Sequence, residues 1–324
     1  MNKSRMTGSS SEGQIDPADS VNESCSNAGD ASLKVSLVIV NKDERLLADT
    51  LCALKPFVGN LLHEVLVVDA SNGALDDIRL SNEWARWIDY TQPPGIRTTI
   101  AHQRNIGVIH AQGDVIVFTD SGCLPQEDWL KRITAPILEE EEFVTCGPSK
   151  AVGKSVYPGN RGPHGNGPVY VPMATTINIA FRREAFDAVN GFDETFGAAE
   201  DLDFTWRLTD VGFRLRWVEN AVVTHDWGTP QRQIRRAFFY GKGGCRLLRK
   251  HPHRIIELTK ENPVPIAYAL FLLSLPITLK YRRYPLLILW PIWRLRDNDI
   301  PWLALLDHVS MGAGFLYELV RPGT

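Results

Sequence analysis

Cysteine is scarce in this sequence: five residues in 324 (Cys25, Cys52, Cys123, Cys146 and Cys245), odd in number, widely spaced and without a C-x-x-C pair. A disulfide-stapled scaffold and a zinc ribbon are therefore excluded as organising principles. An excess of either charge is missing too, since 35 Lys and Arg against 38 Asp and Glu leave a formal −3. With 44% hydrophobic residues, that balance describes a chain that buries a large core, in one domain or two modest ones. It is not that of a disordered or nucleic-acid-coating protein, so nucleic acid is not expected as a partner. The first thirty residues hold Lys3 and Arg5 but no apolar stretch, so no secretory signal is expected and a reducing, cytoplasmic setting is. The phosphate-loop pattern G-x-x-x-x-G-K-[ST] and the nucleophile elbow G-x-S-x-G are both absent, and Ser121 in Asp120-Ser121-Gly122 has no evident histidine partner. A P-loop kinase and a serine hydrolase are set aside on that ground.

What is present is unevenly distributed. Residues 1–32 are rich in Ser, Gly, Asn and Asp and carry no aromatic residue, too little apolar surface to offset ordering entropy, and read as a disordered tail. From Leu33 short apolar runs (Leu33 to Val40, Glu64 to Val68, Asp114 to Thr119) alternate with helically spaced segments around Leu46 to Leu54 and Ile100 to His110. Strand and helix in alternation predict βαβ units, an α/β fold with a mostly parallel sheet flanked by helices, and a ligand beyond the carboxyl ends of the strands. Polar residues gather there: Asn41 and Asp43 after the first strand, Asp69 after the second, Asp120 and Ser121 after the 114–119 run. An acidic residue ending an apolar strand costs desolvation unless it is used; Asp43 alone is equally explained as a helix cap. Gly147 to Pro172, with eleven Gly or Pro in 26 residues, reads as a long loop bordering the site. A helix beginning E-D-L-D-F-T-W-R-L at Glu200 places three carboxylates in its first turn, where they either serve the helix dipole or supply a general base.

Taken together, V-S-L-V-I-V-N-K-D-E, E-V-L-V-V-D-A-S, H-Q-R-N-I-G-V-I-H-A-Q-G-D-V-I-V-F-T-D-S-G-C-L-P, T-T-I-N-I-A-F-R-R-E-A-F, G-F-D-E-T-F and A-E-D-L-D-F-T-W-R-L stand in order between Val35 and His225. This segment resembles the family 2 glycosyltransferases, inverting GT-A enzymes that use nucleotide-diphosphate sugars. The resemblance implies a Rossmann-like catalytic domain over residues 33–229 and a nucleotide-sugar site built from Asn41, Asp43, Asp69, Arg104, Asp120 and Ser121. The family's D-x-D metal motif stands here as Asp120-Ser121-Gly122, one carboxylate short. A divalent cation, Mg or Mn, is implied on Asp120, with His225 as a further ligand; hard oxygen donors and substrate phosphates suit both ions. The resemblance puts the base that takes the acceptor proton on Asp201, with Glu200 raising its pKa by repulsion. Asp203 and Trp206 are assigned to the acceptor side, although Asp203 also stands four residues before Arg207, an ion-pair spacing, and helix tryptophans commonly belong to a core. Arg104 can meet either the diphosphate or a strand-end Asp. Two other readings are a catalytically impaired nucleotide-sugar-binding protein, favoured by Gly122, and a nucleotidyltransferase, disfavoured because Asn41-Lys42-Asp43-Glu44 is not the Gly- and Arg/Lys-rich loop expected after the first strand.

Residues 230–324 differ in texture. Gln231 to Arg254 holds eight Lys or Arg and no Asp or Glu, and two apolar runs follow, Pro263 to Leu279 and Tyr284 to Trp293, interrupted by prolines and separated by K-Y-R-R. Seventeen residues is the lower bound for a span and ten is too short. A monotopic anchor or re-entrant hairpin is expected, with the basic run on an anionic membrane surface; a single span, a core helix or a dimer interface are the competing readings. The expectation is a membrane-associated enzyme at the cytoplasmic face of the cell membrane, adding a single sugar to a lipid-linked or cell-envelope glycan acceptor.

Overall fold

The run at Leu33 to Val40 becomes β1 (Val35–Asn41), all seven residues buried. A strand buried on both faces needs cover on both, which crossover helices supply. The computed structural model describes residues 33–94, 100–153, 162–163, 167–284, 286 and 301–321. The expected tail, eleven of the 26 residues of the Gly/Pro-rich segment and most of the second apolar run lie outside the described residues; the described part of that segment is not all loop, since it holds two short strands, Ser149–Val152 and Val169–Val171.

In chain order β1 is followed by α1 (Leu47–Leu54), β2 (Glu64–Asp69), α2 (Asp76–Ser81), β3 (Arg86–Asp89), α3 (Ile100–His110), β4 (Val115–Thr119), β5 (Cys123–Pro125) and α4 (Trp129–Leu138). Then come β6 (Val144–Cys146), β7 (Ser149–Val152), β8 (Val169–Val171), β9 (Asn178–Arg182), α5 (Arg183–Ala188), α6 (Glu200–Asp210), β10 (Leu215–Trp217) and β11 (Val223–Asp226). Eight strands form one sheet in the order β3-β2-β1-β4-β9-β6-β10-β8. The first four run parallel, and β9 enters antiparallel between β4 and β6. A second sheet, β5-β11-β7, lies at the carboxyl end of β4. The period-two alternation of β1 sorts its side chains: Val38 and Val40 join the core under α3, while Leu37 and Ile39 join that under α1 and α4. Parallel pairing aligns the strand ends, so that Asn41 lies directly opposite Asp69.

The C-terminal region continues with α7 (Pro230–Lys250), α8 (Ile255–Glu261), α9 (Val264–Ser274) and, after an interval outside the described residues, α10 (Pro301–Val320). Thr229 caps α7 by accepting from the Arg232 N–H, with Pro230 in the first turn. Contacts join residues 33–324 into one compact unit. Two glycines let α7 and α10 touch backbone to backbone. A Cβ at Gly241 would strike the Met311 carbonyl, and one at Gly314 the Phe238 carbonyl. The buried Glu318 of α10 accepts from Arg246 at 2.8 Å across this contact.

The apolar run at Pro263 to Leu279 forms α9 and a 3-10 turn, bent by 96° from the preceding Pro252–Glu261 segment. Among the described residues one unbroken helix is long and apolar enough to cross a membrane, Trp302–Val320, and the bent pair Pro252–Glu261 and Val264–Leu279 passes the same test taken together. The sequence pattern did not single out Trp302–Val320 because Asp307, His308 and Glu318 interrupt it.

Replacing Gly241 by Leu is expected to push α10 off α7 and cost about 1–3 kcal/mol, the usual toll of overpacking, read as a lower urea midpoint. Gly244→Ala, whose Cβ would meet only Pro265 at 3.9 Å, is expected to be neutral or stabilising by roughly 0.5–1 kcal/mol, because alanine loses less backbone freedom in a helix.

Candidate active site

A cleft of about 960 Å³ opens where the strands end. One wall comes from the sheet: Val40, Asn41 and Lys42 after β1, Asp120 and Ser121 after β4, and His225 and Trp227 from β11 and beyond. The floor is the first turn of α6, with Glu200 and Asp201. The opposite wall comes from the C-terminal helices, through Arg232, Arg236, Phe239 and Tyr240 of α7 and Asp307, His308 and Met311 of α10.

Asn41 ties the strand ends together. It accepts from the Ser121 hydroxyl at 2.6 Å and its amide donates to Asp69 Oδ1 at 3.4 Å. Asp69 is buried behind this rim and takes the Ser71 hydroxyl at 2.6 Å, while Ser71 Oγ accepts the Asp43 N–H at 2.7 Å. Asp43 itself is exposed with φ +57° and lies off the cleft wall, which passes from Lys42 to Glu44. Of the three expected nucleotide-side carboxylates, Asp69 thus braces the rim, Asp43 shapes a turn and Asp120 lies on the cleft wall.

Arg104, almost wholly buried on α3, pairs with Glu200 and reaches Asp120 Oδ1 at 3.6 Å. Burial opposes its charge, but Glu200, Asp120 and Asp201 outweigh this and raise its pKa. Of the two partners that the sequence allowed, the strand-end Asp120 stands within ion-pair reach, together with Glu200. One guanidinium therefore joins the strand-end Asp to the first turn of α6.

Asp201 is the residue that this arrangement perturbs. Its Oδ1 accepts the Leu202 N–H at 2.9 Å, yet burial first and the charge of Glu200 second push its pKa up to about 7, against the pull of Arg104. A carboxyl titrating near neutrality is suited to accept a proton and release it. Tyr240, across the cleft, is pushed well above an ordinary phenol by burial, against Arg236 and with Asp201, Asp120 and Glu200 acting in the same direction. It stays a neutral hydroxyl facing the carboxylates.

Gly122 occupies the position where a second motif carboxylate was missed. Its φ is +88°, in the left-handed region, and its N–H donates to Thr50 Oγ1 at 2.9 Å. A side chain there would be strained, and a Cβ would point to within 3.9 Å of the His225 ring. His225 is 6% exposed, its Nδ1 has no hydrogen-bond partner among the described residues, and its ring lies edge-on to Trp227 at 4.6 Å. Burial lowers its pKa, against the opposing pull of Asp120, which favours the neutral, ligating form. An orphaned imidazole nitrogen beside a part-exposed carboxylate fits a divalent cation with mixed oxygen and nitrogen donors.

Residues 36–192 match the family model described as glycosyl transferase family 2. These residues carry a family 2 glycosyltransferase domain. A Pre-mycofactocin glycosyltransferase of Mycobacterium tuberculosis is 33% identical over 190 residues, covering 52% of this chain and 39% of that protein. The chain thus spans about two fifths of the length of that curated relative. Succinoglycan biosynthesis protein ExoA of Rhizobium meliloti is 24% identical over 288 residues, 78% of this chain and 86% of its own length. The mannosyltransferase PcManGT from Pyrobaculum calidifontis, solved in complex with GDP-Man and Mn2+, superposes with a TM-score of 0.60 at 17% identity, over 88% of each chain. That likeness establishes the GT-A fold, a mixed, mostly parallel sheet flanked by helices.

The two residues expected on the acceptor side lie beyond the matched span, and the structure places both away from the cleft. Asp203 is fully buried facing away from the cleft, where it takes Arg207 Nε at 2.8 Å, Lys250 Nζ at 2.7 Å and His251 Nε2 at 2.9 Å. Trp206 is wholly buried in a small core with Phe196, Leu247 and Leu258. The reason is helical periodicity. Residues 203 and 206 lie on the face of α6 that α7 covers, and 200 and 201 on the face turned to the strand ends. The sequence alone does not place α7 and α10 in the cleft wall. The basic run reads as a lipid-facing surface, yet Arg232 and Arg236 line the cleft and Arg232 pairs with Glu44 at 2.5 Å.

Proposed function

We propose that the protein is an inverting glycosyltransferase that moves a sugar from a nucleotide-diphosphate sugar to a hydroxyl of a lipid-linked or cell-envelope glycan. The observation that carries this reading is the meeting, in one cleft, of a carboxyl poised near neutrality (Asp201) with a carboxylate (Asp120) and an imidazole whose Nδ1 has no hydrogen-bond partner among the described residues (His225). In the reaction Asp201 takes the proton from the acceptor hydroxyl as its oxygen attacks the anomeric carbon on the face opposite the leaving diphosphate. Asp120 and His225 would hold a divalent cation, which would supply positive charge for the leaving diphosphate. Arg104 keeps Asp120 and Glu200 in place without leaving its ion pairs. The neutral hydroxyl of Tyr240 and the Arg236 guanidinium face the same volume and position the acceptor side.

A screen of UDP, GDP and dTDP sugars by mass spectrometry, with membranes as acceptor and Mn2+ or Mg2+ added, is the direct test. Consumption of one donor with transfer to a glycan is expected; binding of a donor without turnover would replace this reading with that of a binding protein. His225→Ala is expected to raise the cation concentration needed for half-maximal rate by at least about tenfold, because an inner ligand counts for no less than the roughly 10- to 100-fold of an outer partner. An unchanged requirement would remove His225 from the cation site.

The acceptor class rests on the C-terminal surface. Leu270, Leu273, Ile277, Leu279 and Tyr281 are exposed beside exposed Lys280, Arg282 and Arg283. An apolar edge next to cations is the pattern of a monotopic surface at the cytoplasmic leaflet. Leu273→Glu with Leu279→Glu is expected to weaken flotation with phosphatidylglycerol vesicles by at least about tenfold per leucine, from about 1.5 kcal/mol of lost burial each. Flotation that does not change would remove the membrane from the proposal. Truncation is the poorer test, because the same helices wall the cleft.

A further inference from the structure

Beyond the cleft, at the other end of α6 and about 14 Å along its axis at 1.5 Å per residue, three metal-ligating side chains meet. Asp210 closes α6, and the turn following α7 carries His251 and His253 up to it. His253 Nε2 is 3.8 Å from Asp210 Oδ1, and His251 Nδ1 is 4.0 Å from Asp210 Oδ2. One ligand atom from each residue lies within 4.8 Å of the other two. Bonds of about 2.0–2.1 Å at tetrahedral angles put ligand atoms about 3.3 Å apart, so closing on an ion needs shifts of about an ångström. The His253 side chain, 61% exposed, has the freedom to make them.

Two features distinguish this group from a chance surface cluster. His251 is 5% exposed, and its Nε2 stands 2.9 Å from the fully buried Asp203 carboxylate. That bond holds the ring proton on Nε2 and leaves the Nδ1 lone pair on the side facing Asp210. A carboxylate behind an imidazole in this way is the outer arrangement that orients metal-binding histidines. In addition, Arg254 donates to Asp210 Oδ1 at 2.5 Å while anchored on Thr209 Oγ1 at 2.8 Å and Glu257 Oε2 at 3.1 Å. The carboxylate is thereby fixed in rotation with Oδ2 turned to His251. Lys250, the other nearby cation, is engaged by Asp193 and Asp203.

We propose that Asp210, His251 and His253 bind a nitrogen-preferring divalent ion, zinc above all, at a site separate from the cation site at Asp120 and His225. Two imidazoles and one carboxylate select zinc over magnesium and manganese, and water completes the coordination. The ion clips the end of α6 to the junction of α7 and α8. It thereby steadies the helix whose first turn holds Glu200 and Asp201.

The test is zinc titration of the chelator-treated full chain by calorimetry, with excess Mg2+ present, alongside thermal unfolding with and without zinc. Wild type is expected to bind one zinc at this site and to unfold at a higher temperature with it. His253→Ala and Asp210→Asn are each expected to weaken that binding by more than the roughly 10- to 100-fold that loss of an outer partner costs. Both should lose the thermal shift. His225→Ala is expected to retain both. His253 is exposed, so its substitution leaves the core intact, and unchanged circular dichroism checks this. Zinc binding that survives His253→Ala, or that disappears with His225→Ala instead, or that is absent from wild type, would overturn the proposal.

Discussion

Asp201→Asn is expected to lower turnover by about 10²- to 10⁴-fold, the range that a positioned general base contributes, while leaving the affinity for the nucleotide sugar unchanged. Asparagine keeps the shape and the acceptor for the Leu202 N–H but cannot take a proton. Single-turnover rates and a donor titration on the same variant separate the two effects; near-wild-type turnover would end the assignment of the base. The pH dependence carries the same signature. With the carboxyl pushed up to about 7, the base is protonated below that pH, and kcat/KM should rise as pH increases through it. Glu200→Gln removes the neighbouring charge and should move this limb to lower pH. Stability is expected to run the opposite way. A carboxyl whose folded pKa lies above its unfolded value of 3.8 binds more protons when folded. Its contribution is therefore fully present below the unfolded pKa and is lost as pH rises towards 7. Asp201→Asn should accordingly match wild type in urea midpoint near pH 4 and exceed it at pH 8.

Arg104→Met is the substitution expected to cost most stability, about 3–5 kcal/mol, because it strands Glu200 as an unpaired charge in a buried site. The Glu200 side chain is only 6% exposed, and Asp120 loses its partner at the same time. Combining Arg104→Met with Glu200→Gln should recover a large part of the loss, a coupling that a double-mutant cycle reads directly from urea midpoints. Additive losses would mean that Arg104 acts through its packing over the Phe192 ring, 5.8 Å away, and not through charge. Arg104→Lys should not substitute well, since one ammonium cannot reproduce a fork shared between two carboxylates.

Much of the site was legible before any coordinates. The strand-end residues were, because parallel strands bring their carboxyl ends to one rim whatever the intervening sequence; Asn41, Asp120 and Ser121 follow from that rule. Glu200 and Asp201 were, because they open a helix and stand where the resemblance to family 2 glycosyltransferases implies the base. Asp203 and Trp206 were misplaced for want of helical phase: two and five residues further on, the same helix presents a different face, and which face α7 covers is not written locally. Gly122 looked like a defect in a motif. It is a backbone turn that glycine favours, where a Cβ would meet Leu46 at 3.4 Å and the His225 ring at 3.9 Å. The basic run of α7 carried a double meaning, since lipid headgroups and a diphosphate both select cations.

By itself, then, the sequence determined the alternating α/β layers, the rim of polar residues at the strand ends and the helix that bears Asp201, because each of these depends on short-range periodicity and on pairs of neighbouring strands. Only the tertiary structure decided that α7 and α10 form the second wall of the cleft, that Arg104 spends its charge on Glu200 and Asp120, and that Asp203 is structural. These depend on contacts between residues tens to hundreds of positions apart: Gly241 against Met311, Arg104 against Glu200, Asp203 against His251. Local pattern marks such residues as apolar, basic or acidic, but their partners are set by how the elements pack.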